Sequence, residues 1–76
     1  MAKRTDEEKF NDGIDNLSDA IREAEFRGDE AALEHLRCAE TTECLADLIA
    51  NLNAAFSATK KGSVRKEIKA LLAEVQ

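Results

Sequence analysis

Between residues 29 and 61 the apolar side chains change sides, and no straight helix can present both sets to one neighbour. Ala32, Leu33, Leu36 and Ala39 share one helical face. Cys44, Leu45, Leu48, Ile49, Leu52, Ala55 and Phe56 share another, rotated by roughly 150° when positions advance by about 100° per residue. Either the chain breaks near Thr41-Thr42, where a hydroxyl can cap a new helix, or one long helix serves two neighbours. Glu40, Glu43 and the adjacent Ala and Leu are good helix formers, and neither Gly nor Pro interrupts them. The balance leans slightly to one continuous helix of about 33 residues and about 50 Å, with a kink or break near residues 41–42 as the alternative.

The rest of the chain is written in the same vocabulary. Its 76 residues contain no Pro, Trp or Tyr and three Gly, with 43% hydrophobic and 36% charged residues, which favours helices over sheets. The expected fold is all-α: one domain over residues 1–76, with three antiparallel helices over about 5–27, 29–61 and 63–75. Thr5-Asp6-Glu7-Glu8 fits a capping box, and Phe10, Ile14, Leu17, Ile21 and Ala24 follow at steps of four and three. Asn11-Asp12-Gly13 is the weak point of this helix, because a helical Gly costs about 1 kcal/mol relative to Ala, and Gly13 is a second available start. Gly28 suits a left-handed C-cap and Asp29 an N-cap. The letters Arg27-Gly28-Asp29 are also those of an integrin-binding tripeptide, but the turn explains them. Gly62 reads as a stop, Ser63 as an N-cap, and Val64, Ile68, Leu71, Leu72 and Val75 as the buried face of the last helix.

A core this small is thin. At this length roughly 60% of the unfolded surface is buried, and Phe10, Phe26 and Phe56 are the only aromatic residues to anchor it. An overhanging central helix would leave the face from Cys44 to Phe56 wider than the last helix can cover, so the sequence predicts a homodimer paired through Leu45, Leu48, Ile49, Leu52 and Phe56.

His35, Cys38 and Cys44 invite a metal or redox reading that helical geometry opposes. On one straight helix the two cysteines are about 9 Å apart along the axis and roughly 120° apart around it, beyond the ~7 Å Cα limit of a disulfide. His35 and Cys44 lie on opposite sides, so the three groups cannot converge on one ion, and zinc sites usually supply four ligands. The expectation is no metal, no cofactor, and two cysteines buried as small hydrophobes.

Charge narrows the function classes. The net charge is −5, which disfavours indiscriminate binding to phosphate polymers. There is no phosphate loop, and the single His has no partner for a catalytic triad, so no enzyme is expected. No apolar run spans a bilayer, and MAKRTDEEKF lacks the apolar region of a signal peptide; with two thiols, this points to a cytoplasmic protein. Asp12, Asp15, Asp19 and Glu23 run along one side of the first helix as candidates for facing a basic partner protein. The leading reading is a small acidic interaction module that binds and inhibits or redirects such a partner, as phage and bacterial accessory proteins do.

Two local resemblances accompany that reading. EAEFRGDEAALEHL resembles the helix pair of a tetratricopeptide unit, but nothing repeats, which leaves a generic helical hairpin. SATKKGSVRKEIKALL resembles a helix-turn-helix DNA-binding motif, with Ala58, Gly62, Ile68 and Leu71 at its small, turn and core positions; Lys61 and Ser63 depart from its apolar pattern. That resemblance implies a small DNA-binding regulator in which Arg65, Lys66 and Lys69 face nucleic acid.

Overall fold

The computed structural model describes residues 5–76, and among them it contains four α-helices and no strand: α1 (Asp6–Arg27), α2 (Glu30–Glu40), α3 (Leu45–Ala58) and α4 (Gly62–Val75). The all-α expectation holds. The count of three helices does not, because the long central helix is two.

The break falls at the threonine pair, and its chemistry differs from the expected N-cap. Thr41 Oγ1 donates to the Cys38 carbonyl at 2.9 Å and Thr42 Oγ1 to the Ala39 carbonyl at 2.7 Å, while their N–H groups reach the same two oxygens. Both hydroxyls therefore satisfy the orphan carbonyls that end α2. Cys44 is the N-cap of α3 and makes no side-chain cap bond. Breaking the rod lets both apolar faces turn inward: Leu33, Leu36 and Ala39 from α2, and Leu48, Leu52 and Ala55 from α3, belong to one buried cluster. The longest extent of the molecule is 38 Å, well short of the about 50 Å that an unbroken central helix requires.

The other junctions follow the sequence closely. Thr5 caps α1, accepting from the Glu8 N–H at 3.2 Å, and α1 begins at Asp6 rather than at Gly13. Gly28 takes φ 67°, and the Asp29 and Gly28 N–H groups bond the Ala24 and Glu25 carbonyls, the paired pattern of a Schellman end. At the last junction Lys61 is the N-cap and Gly62 the first helical residue, two residues earlier than the expected Ser63 cap.

Helices α1 and α4 run antiparallel: Lys9 bonds the Gln76 carbonyl, Asn16 bonds Glu74, and Glu23 is paired with Ser63. These two helices pack extensively, as do α2 and α3, and α1 also touches α2 and α3. Close approach is possible because Ala20, Ala24, Ala32, Ala39 and Ala55 are fully buried between the helices. Gly13 is the tightest point, since a Cβ there would lie 2.6 Å from Val75 Cγ1 and 2.9 Å from Leu48 Cδ2. A buried polar clasp joins the two remaining turns. Asp29 accepts from the Ala32 N–H at 3.3 Å and from the Thr59 hydroxyl, which itself accepts from the Lys61 N–H at 3.1 Å. The core is aliphatic, built on Leu17, Leu36, Leu48, Leu52, Val64, Ile68 and Val75. Phe10 and Phe56 only flank it, and Phe26 is 77% exposed because it lies about 200° around α1 from buried Ala24.

Candidate functional site

The antiparallel pairing of α1 and α4 leaves a groove whose polar lining is mainly carboxylate. Asn16 and Asp19 come from α1 at a spacing of three, and Glu67, Ala70, Leu71 and Glu74 come from one flank of α4 at spacings of three and four. Ala70 and the almost fully buried Leu71 contribute the apolar lining, and Asp19, Glu67 and Glu74 supply three negative charges. Asn16 Nδ2 donates to Glu74 Oε2 at 2.7 Å, which fixes one carboxylate against α1. No Lys or Arg lines the groove.

Of the four acidic residues expected to face a partner, the structure brings Asp19 into this groove. Asp12 and Asp15 are exposed elsewhere on α1. Glu23 is already engaged: the Arg27 guanidinium at 2.9 Å, then the Ser63 hydroxyl, hold its carboxyl below the usual glutamate value. Glu67 and Glu74 were not singled out by sequence reasoning. Their seven-residue spacing on the flank of α4 was a visible signal, but the pairing of α4 with α1 was not.

The five residues expected at a dimer interface separate into two groups. Leu48 and Leu52 are fully buried in the chain's own core, because the break before α3 turns them toward it. Leu45, Ile49 and Phe56 are half-buried at its border. Phe56 also carries the Arg65 guanidinium over its ring, 4.5 Å from the centroid. Arg65, Lys66 and Lys69 are all exposed on α4, which follows α3 after the three-residue turn Thr59-Lys60-Lys61.

Cys38 and Cys44 are free and exposed, contrary to the expected burial. Cys38 lies about 200° around α2 from the buried Leu36, and Cys44 sits at the corner before α3. Among the described residues no group of three or more His, Cys, Asp or Glu is placed to hold a metal ion, and no helix is long and apolar enough to cross a membrane. No family model, curated protein or solved structure matches the chain.

Proposed function

We propose that this protein is a non-catalytic interaction module whose α1/α4 groove receives a basic segment of a partner protein and thereby modulates it. The observation that carries the reading is the groove itself, which presents Asp19, Glu67 and Glu74 beside Ala70 and Leu71 without a neutralising cation in its lining. A lysine- or arginine-bearing helix matches that surface, with its apolar stem against alanine and leucine and its charges toward the carboxylates. Partners of this kind bind by electrostatic steering, so the affinity falls with salt.

The test is fluorescence anisotropy with a labelled amphipathic peptide rich in lysine and arginine, at about 20 mM and about 300 mM salt. Salt-sensitive binding that disappears in Asp19→Asn/Glu67→Gln/Glu74→Gln supports the reading. Binding unaffected by those substitutions removes it.

A second reading is favoured by the exposure of Arg65, Lys66 and Lys69 directly after a three-residue turn: a regulator that lays α4 on duplex DNA. Under that reading labelled duplex DNA binds in the low-salt buffer, and Arg65→Gln/Lys66→Gln/Lys69→Gln abolishes the binding.

A further inference from the structure

Helix α4 is divided by charge. Lys61, at its N-cap, is followed at four-residue steps by Arg65 and Lys69, with Lys66 alongside, so the four cations lie on one flank. Glu67 and Glu74 lie on the opposite flank, and the core-facing residues Val64, Ile68, Leu71 and Val75 close the circle between the two flanks. Among the described residues no ion pair involves Lys60, Lys61, Arg65, Lys66 or Lys69, although the chain as a whole is acidic.

A uniform polyanion fits this helix poorly. With its side chains a helix is about 10–12 Å across, so phosphates laid on the cationic flank stand within about one Debye length of Glu67, Glu74 and Asp19. A partner carrying both signs fits better. This chain is such a partner, because Glu67 and Glu74 of the α1/α4 groove stand about two turns apart along α4, close to the separation of Lys61 and Lys69, and Asp19 of α1 adds a third carboxylate beside them. We propose that the cationic flank of α4 in one copy docks in the acidic groove of a second copy, so that a foreign basic partner must displace it. The proposal rests on the reading of the groove as a site for a basic segment, and it names the first occupant. The two surfaces are different patches, so the contact is heterologous and a docked pair still has one free surface of each kind, the acidic groove on one copy and the cationic flank on the other.

The test is sedimentation of the full chain at about 20 mM and about 300 mM salt, across a range of protein concentration. The wild type is expected to exceed the 8.4 kDa monomer at low salt and return to it at high salt. Asp19→Asn/Glu67→Gln/Glu74→Gln and Arg65→Gln/Lys66→Gln/Lys69→Gln are each expected to remain monomeric. The first variant discriminates sharply, because removing three negative charges from a chain of net charge −5 lowers mutual repulsion and on net charge alone favours association. An equimolar mixture of the two variants is expected to stop at a pair, since each supplies the surface the other lacks. A monomeric wild type at low salt, association of either variant like the wild type, or a monomeric mixture overturns the proposal. If the wild type is monomeric yet the groove binds the basic peptide, only self-docking fails; if neither occurs, the groove reading fails with it.

Discussion

Replacing Gly13 by Ala sets two physical effects of similar size against each other. On helix propensity alone the change stabilises α1 by about 1 kcal/mol. In the folded chain, however, the new methyl lies 2.6 Å from Val75 Cγ1 and 2.9 Å from Leu48 Cδ2, where carbon atoms pack best at about 3.5–4.0 Å. Both neighbours are fully or almost fully buried, and a helical Val strongly prefers one χ1 rotamer, so turning Val75 Cγ1 out of the way costs rotamer energy and drives its methyls into a packed core. Overpacking of this kind costs about 1–3 kcal/mol, so the expected net effect is a loss of about 1 kcal/mol. For a domain of this size that lowers Tm by about 4–8 °C, measured by circular dichroism. In a Val75→Ala background the nearer obstructing methyl is gone and Leu48 Cδ2 can move into the space it leaves, so Gly13→Ala should become neutral or stabilising, giving a coupling of at least about 1 kcal/mol in the double-mutant cycle. A Tm that rises in the single variant, together with additive effects in the double, would refute the close approach of α1, α3 and α4 at Gly13.

Three further outcomes follow from the same structure. Thr59→Val keeps the side-chain shape but removes the hydroxyl that serves both Asp29 and the Lys61 N–H; the expected cost is about 1–3 kcal/mol in urea unfolding, and an unchanged midpoint contradicts the clasp. Glu23 should titrate below the usual glutamate range in carboxyl NMR and move back up in Arg27→Gln. Because its folded value is lowered, the stabilisation it brings is present at neutral pH and lost as pH falls through that value, and an unmoved titration in Arg27→Gln rules out the pairing. Cys38 and Cys44 should both react promptly with a thiol reagent in the native protein; a thiol that reacts only after unfolding contradicts the exposed placement.

Much of the helical framework was legible because its signals are local. The Thr5 cap, the Gly28-Asp29 junction and the buried face of α4 all depend on residues within a turn or two of one another. The change of face after Ala39 was also legible, but its resolution was not. A threonine hydroxyl can serve the helix before it or the one after it, and here both close α2. Good helix formers at Glu40 and Glu43 argued for continuity, yet the break brings Leu48 and Leu52 into the core, a gain that local propensity does not register. Gly13 looked like a turn residue for the same reason, since its role depends on Val75 arriving from 62 residues further along the chain. The groove was half legible: the row containing Asp19 was visible on α1, whereas Glu67 and Glu74 acquire meaning only once α4 lies antiparallel to α1.

The most direct measurement is a nitrogen-15 NMR titration of the full chain with the basic peptide at low salt. The proposed function predicts that the largest shifts map to Asn16, Asp19, Glu67, Ala70 and Glu74, and that they vanish in Asp19→Asn/Glu67→Gln/Glu74→Gln. Shifts that avoid this groove, or that are distributed evenly over the acidic surface and survive those substitutions, would contradict it.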